Sequence, residues 1–121
     1  MVDVITISGS FDDGSIYDLK VVEYLNDRGI ETVFFIPVNW KKYNASKGVG
    51  FLDEDDIENI ATLYEIGSHG IDHLLLTRVD EQVQTREIID SRKYWRQNHF
   101  RINAFCYPRG YYTTEIKQKI S

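Results

Sequence analysis

Short apolar segments alternate with longer amphipathic segments along this chain. The short segments are rich in β-branched and aromatic residues, which predicts buried strands. They cover residues 2–8, 30–36, 65–68 and 102–107. Gly9 ends the first segment and Pro37 ends the second. The pattern therefore predicts four strands separated by helices.

The amphipathic segments predict the helices. Leu19, Val22 and Leu25 recur at helical spacing within residues 17–28, and Gly29 supplies a C-terminal stop. Three further helices are expected to begin after N-cap residues, which are Asp53, Asp80 and either Thr113 or Thr114. The helix after Asp80 is expected to run to about Asn98. Residues 37–52 predict a loop that is long enough to face a substrate.

Four alternations of strand and helix predict an α/β fold with a parallel sheet and right-handed crossovers. At 121 residues, the chain is expected to form one domain, residues 1–121. Candidate polar residues follow the strands in order: Asp12 and Asp13 after the first, His69 after the third, Pro108 and Arg109 after the fourth. Parallel α/β folds carry their chemistry at the carboxyl ends of strands, so these residues are expected to share one edge.

Composition narrows the classes of function. A formal net charge of −5 argues against electrostatic binding to nucleic acid or anionic membranes. The single cysteine, Cys106, excludes an intrachain disulfide. No apolar run approaches the roughly 18 residues of a membrane span. No basic region precedes the first apolar segment, so we expect a cytoplasmic chain as written, or a secreted one if a leader was removed.

Paired carboxylates and a spaced histidine pair suggest a metal-assisted reaction. Of two adjacent carboxylates, Asp12 and Asp13, one can serve as a base and the other as a metal ligand. His69 and His73, four residues apart, can complete a three-ligand site that leaves a position open for water or substrate. Taken alone, an Asp-Asp-Gly sequence is also a common turn. In combination, the residues predict a metal-assisted hydrolase.

Three motifs resemble those of the polysaccharide deacetylase family, also called the NodB-homology domain or carbohydrate esterase family 4. They are residues 10–14 (SFDDG), 67–73 (GSHGIDH) and 105–110 (FCYPRG). Cys106 stands where the third motif often has an arginine, and Gly70 where the second usually has Ser or Thr. The family's fourth and fifth motifs would lie beyond Ser121, so we expect a C-terminally truncated domain.

The resemblance implies a partial (β/α) barrel that hydrolyses N-acetyl groups of amino sugars in a glycan. It implies Zn²⁺, or another divalent metal, held by Asp13, His69 and His73, with Asp12 as general base. It also implies that the backbone N–H of Arg109 stabilises the oxyanion. Expected substrate-binding residues are Tyr107, Pro108, Tyr111 and Trp40, although the aromatic residues among them can equally pack against the core.

Two alternatives to a carbohydrate N-deacetylase stay open. One is a catalytically impaired module of the same fold that binds metal or glycan without turnover. The other is a hydrolase of non-peptide C–N bonds in small amides. An exposed barrel edge also predicts a homodimer in which two copies cover each other's apolar surface.

Overall fold

A parallel three-stranded sheet forms the centre of the computed structural model, which describes residues 3–121. The strands are β1 (Ser8–Asp12), β2 (Glu31–Ile36) and β3 (Glu65–Ser68), in the order β1-β2-β3. Ser8 pairs with Glu31 and Ile36 pairs with Ser68, so β1 and β3 end beside the end of β2. Their carboxyl ends therefore lie at one edge of the sheet.

Three helices lie between the strands in the chain, and three more come after β3. They are α1 (Asp18–Asn26), α2 (Trp40–Ser46), α3 (Glu54–Leu63), α4 (Glu81–Thr85), α5 (Ser91–Gln97) and α6 (Thr114–Ile120). A π-helical turn, Arg86–Asp90, joins α4 to α5 and makes one continuous helical stretch. Two short 3-10 helices cover Leu76–Arg78 and Pro108–Gly110. The N-caps predicted at Asp53, Asp80 and Thr113 each accept a backbone hydrogen bond, which confirms them.

The first strand lies later in the chain than its apolar pattern predicts. Residue 2 of the predicted strand lies outside the described residues, and β1 begins only at Ser8. Val4 and Ile5 are 88% and 82% exposed, because β2 begins opposite Ser8 and offers no backbone partner to the segment before it. As a result, Asp12 is the last residue of the strand and Asp13 directly follows it.

Two other predictions of local structure are wrong. The segment 37–52 contains the helix α2, whose buried Asn44 donates hydrogen bonds to the Trp40 and Asp13 carbonyls. The segment 102–107 is not a fourth strand but a single parallel bridge between Phe105 and Ser68. The pairing stops there because β3 ends at Ser68 and the chain then enters the loop of residues 69–74, which carries His69 and His73 and is called the histidine loop below.

The main core lies on one face of the sheet. Alternate residues of β2, Phe34 and Ile36, are fully buried there. Ile57 and Ile60 of α3 pack against this face, together with Trp95 of α5. Ile57 and Ile60 lie on one side of α3, and their burial fixes the helix on the sheet. No helix among residues 3–121 has the length and hydropathy needed to cross a membrane.

The capping box of α3 yields a stability prediction. Asp53 accepts a hydrogen bond from the Asp56 N–H at 2.7 Å, and Asp56 accepts one from the Asp53 N–H at 2.9 Å. We expect Asp53→Ala to lower the free energy of unfolding by about 1 kcal/mol. Urea denaturation followed by circular dichroism measures this. The control is Asp55→Ala, which removes an exposed charge from the same turn but no cap bond. Equal losses from the two variants would contradict the assignment.

Candidate metal centre

Asp13 is held at the sheet edge by backbone geometry that few residues adopt. Its φ is +84°, its N–H donates to the Phe35 carbonyl at 2.9 Å, and its own carbonyl accepts from Asn44 Nδ2 at 2.8 Å. Gly14 follows with a φ of +72°, and a Cβ there would come within 3.1 Å of the Ile36 side chain. The turn therefore requires glycine, which explains the Asp-Asp-Gly order.

His69 is buried directly after β3 and has a fixed ring orientation. Its side chain is 1% exposed, and its Nδ1 lies 2.8 Å from the Cys106 carbonyl oxygen. A carbonyl only accepts, so Nδ1 carries the proton in this bond. The Nε2 atom lies 3.4 Å from Asp13 Oδ1. In its neutral form, His69 therefore turns the lone pair of Nε2 toward the aspartate, as a metal-binding histidine does.

His73 approaches the same carboxylate oxygen from the far end of the loop. Its φ is +56°, its side chain is 7% exposed, and its Nε2 lies 3.3 Å from Asp13 Oδ1. The Tyr43 ring stacks on the imidazole with the ring centroids 4.1 Å apart, and Lys47 Nζ lies 4.4 Å from the Tyr43 ring centroid. The tyrosine of α2 thus covers the imidazole and limits its movement.

The distances between these three groups fit a shared cation. In a tetrahedral zinc site with ligand bonds of about 2.0–2.1 Å, neighbouring ligand atoms lie about 3.3 Å apart. The Asp13–His69 and Asp13–His73 distances are 3.4 and 3.3 Å, and the three ligand atoms all lie within 4.8 Å of one another. Asp13 Oδ1 is buried and receives no hydrogen bond from the described residues. A buried carboxylate oxygen in that situation requires a positive partner.

The electrostatics of the cluster favour an anionic aspartate. Burial raises the pKa of the Asp13 carboxyl, but the close approach of the His69 and His73 imidazoles outweighs it and holds this pKa well below its usual range. Burial also lowers the pKa of His69. Its interactions with Asp13 and with the side chain and carbonyl of Cys106 outweigh that effect and raise the pKa to about 10. The same carboxylate can therefore attract either imidazolium protons or a metal cation.

Asp12 lies at the rim of the cluster, where it is exposed to solvent. Its Oδ2 is 3.9 Å from Cys106 Sγ. Ligand atoms of Asp12, His69 and Cys106 also lie within 4.8 Å of one another and form a second candidate group. The first group fits a cation better. His69 Nδ1 donates its proton to the Cys106 carbonyl and is therefore not free to bind a metal, whereas Nε2 faces Asp13.

The third motif lies beside the cluster and is partly exposed. Pro108 was expected to bind substrate, but its side chain is fully buried and offers no surface to a ligand, whereas the exposed Arg109 has a φ of +59°. Tyr107 stacks on Tyr112 with their ring centroids 4.7 Å apart, and Tyr111 is 60% exposed. The exposed tyrosines are therefore available to a ligand.

Trp40 does not lie at the surface predicted for it. It is 4% exposed, and its Nε1 donates to the Leu52 carbonyl at 2.8 Å. Its ring lies 6.0 Å from that of Trp95 in the core. Of the two roles expected for Trp40, the structure shows packing against the core and not substrate binding, because the ring is enclosed between α2 and α5.

Asp18 is a buried acid near the cluster that the sequence analysis missed. It is 5% exposed, and its Oδ2 has no hydrogen-bond partner among the described residues. Burial and the charges of Asp13 and Asp12 raise its pKa to about 7. A signal was present, since Asp18 lies seven residues before the buried Leu25 and so on the inward stripe of α1.

Comparison with known proteins places this site in a family. A sequence model described as "Polysaccharide deacetylase" matches residues 3–121. No curated protein sequence matches significantly. The match covers nearly the whole chain, and it confirms the family resemblance carried by the three motifs.

Solved structures share the fold. The Streptococcus pyogenes deacetylase PplD is 20% identical with a TM-score of 0.78, and the match covers 92% of this chain and 49% of that one. The peptidoglycan deacetylase PdaC from Bacillus subtilis is 20% identical with a TM-score of 0.71, covering 95% of this chain and 55% of that one. A CE4 family pseudoenzyme from Bacillus anthracis is 14% identical with a TM-score of 0.72, covering 94% and 39%. The chain spans about half the length of the first two, and the predicted α/β class is confirmed.

The raised pKa of His69 predicts proton release on metal binding. At pH 7 its imidazole is protonated when no cation is bound, whereas a metal ligand must be neutral. We expect Zn²⁺ binding to release about one proton per ion and to tighten as the pH rises toward 10. Calorimetric titrations in two buffers with different ionisation enthalpies measure the release. The exposed His99 supplies the control, since His99→Gln should leave it unchanged. A binding enthalpy independent of the buffer would contradict the prediction.

Proposed function

This chain belongs to the polysaccharide deacetylase family, and on that premise we propose that it is a metal-dependent hydrolase of N-acetyl groups. The proposed substrate is an N-acetylated amino sugar within a glycan. The observation that carries the proposal is the convergence of two imidazole nitrogens on one buried oxygen of Asp13, which receives no hydrogen bond from residues 3–121. An exposed carboxylate, Asp12, stands beside them.

In this proposal, Asp13, His69 and His73 hold the cation. The donor set of one carboxylate and two imidazoles suits Zn²⁺ and leaves a position open. When bound, the ion supplies Lewis acidity, which polarises a carbonyl and lowers the pKa of a water molecule. The Cys106 carbonyl keeps the proton on His69 Nδ1, and the Tyr43 ring holds His73 in place.

The remaining roles belong to residues around the ligands. Asp12 would accept the proton of the attacking water, and its exposure leaves it accessible to that water. The backbone N–H of Arg109 would donate to the acyl oxygen. Tyr107 and Tyr111 would contact the sugar, with Pro108 fixing the turn between them. The names of two similar structures, a deacetylase and a peptidoglycan deacetylase, support an acetylated glycan as the substrate class.

One observation favours a second candidate, a module that binds metal or glycan without turnover. Within residues 3–121, no Lys or Arg nitrogen forms an ion pair with Asp12. Its neighbour is the thiol of Cys106, where the family often has an arginine. A base without a cationic partner is less firmly oriented. One similar structure is also a pseudoenzyme.

The test is acetate release from an N-acetylated chito-oligosaccharide, measured with and without Zn²⁺. We expect release that depends on Zn²⁺ and stops on addition of a chelator. Zinc binding without release would select the second candidate. Release from small amides alone would indicate a different C–N hydrolase. No zinc binding and no release would contradict the proposal.

Two aspartate variants separate the proposed roles. We expect Asp12→Asn to retain Zn²⁺ and to lower kcat by about 10²- to 10⁴-fold, because it removes the base alone. Asp13→Asn should lose most of the affinity for Zn²⁺, because it removes a charged ligand. Calorimetry and acetate release measure the two effects. The control is Asp55→Asn on the exposed surface of α3, which should change neither. Zinc loss in Asp12→Asn would contradict the assignment.

A further inference from the structure

A fully buried glutamate contacts the loop that carries both histidines. Glu87 is 0% exposed and lies in the π-helical turn. Its Oε1 accepts from the N–H groups of Asp72 and Leu74 at 3.0 and 3.5 Å, and its Oε2 accepts from that of Ile71 at 3.3 Å. These N–H groups lie on both sides of His73. The carboxylate therefore binds the backbone of the loop rather than another side chain of it.

The loop is shaped to receive this carboxylate. Burial raises the pKa of the Glu87 carboxyl, and its bonds to the N–H groups oppose that rise. Gly70 has a φ of +82°, and a Cβ at this position would come within 3.3 Å of Glu87 Oε1. Glycine thus lets the carboxylate approach the backbone closely. The Arg86 guanidinium lies 3.9 Å from Glu87 Oε2 and supplies a partial counter-charge.

Backbone hydrogen bonds from the segment after β2 hold the other side of the loop. The N–H groups of Val38 and Asn39 donate to the carbonyls of Gly70 and Ile71 at 3.0 and 2.9 Å. The loop is therefore fixed between the segment after β2 and the helical stretch that carries Glu87. His73 requires such support, because its φ of +56° is unfavourable for a residue with a Cβ.

We propose that Glu87 is a positioning residue for the Asp13–His69–His73 site. By binding N–H groups on both sides of His73, it holds that imidazole at the distance from Asp13 that a shared cation requires. This inference rests on the metal site of the proposed function, and it adds Glu87 as a residue that sets the affinity of that site for the metal. Glu87 itself is neither a ligand nor a group that touches substrate.

The test compares two glutamine variants of the full chain. Glu87→Gln keeps the size of the side chain but turns an amide NH₂ toward N–H donors. Glu81→Gln makes the same change on an exposed side chain of α4. We expect Glu87→Gln to weaken Zn²⁺ binding by about 10- to 100-fold, and Glu81→Gln to have little effect. Competition with a chromophoric chelator measures the affinity, and circular dichroism confirms that each variant is folded.

A second background separates positioning from general stability. In His73→Ala protein, Glu87 has no imidazole to position, so Glu87→Gln should no longer weaken Zn²⁺ binding. The same loss in both backgrounds would overturn the inference. Wild-type and Glu87→Gln affinities within twofold of each other would also overturn it, while the metal site itself would stand. A wild-type chain that binds no Zn²⁺ would instead overturn the proposed metal site and this inference with it.

Amide exchange tests the contact in the wild-type chain, whether or not the variant folds. The N–H groups of Ile71, Asp72 and Leu74 should exchange slowly with solvent when measured by NMR, because a buried carboxylate accepts from each. The N–H of Thr77 serves as an exposed reference. Exchange of the three groups at the rate of an unprotected amide in the folded protein would overturn the inference.

Discussion

A buried carboxylate oxygen that receives no hydrogen bond from the described part of the chain is the constraint around which this structure is arranged. Asp13 Oδ1 lies between two imidazole nitrogens, and removing such a charge from water is costly unless a positive partner replaces the solvent. A proton on His69 and a divalent cation are the two available partners. The chemistry proposed for the site follows from their competition, because the cation binds only where the proton leaves.

Backbone strain is concentrated where the candidate ligands meet. Among the described residues other than glycine, four have a positive φ: Asp13, His73, Arg109 and His99. Three of these belong to the motifs of the site. Each such residue costs on the order of 1–3 kcal/mol and persists only where its surroundings fix it. The contacts that fix two of them are visible: the Phe35 carbonyl and Asn44 for Asp13, and the contacts of the flanking loop for His73.

The sequence predicts those parts of the structure that local patterns determine. The three caps and the bounds of β3 follow from side-chain chemistry and β propensity, and the closeness of Asp13 to His69 follows from their place directly after strands. The start of β1 cannot be predicted from the local sequence, since it depends on where β2 lies opposite it. Helix α2 is short and buries only Trp40 and Asn44, too few for a detectable period. Charged residues such as Asp18 and Glu87 are usually exposed. The spacing of Asp18 from Leu25 indicates its burial, but the burial of Glu87 is visible only in the folded chain.

The π-helical turn reconciles two demands on one helical stretch. Glu87 must face the histidine loop, while Trp95, eight residues later, must enter the core beside Phe100. Each residue of a regular α-helix advances the side-chain direction by about 100°, so shortening this turn by one residue would rotate everything after it by that amount. Either Glu87 or Trp95 would then point to solvent. The fold is therefore expected to tolerate substitutions in this turn far better than the deletion of a residue from it.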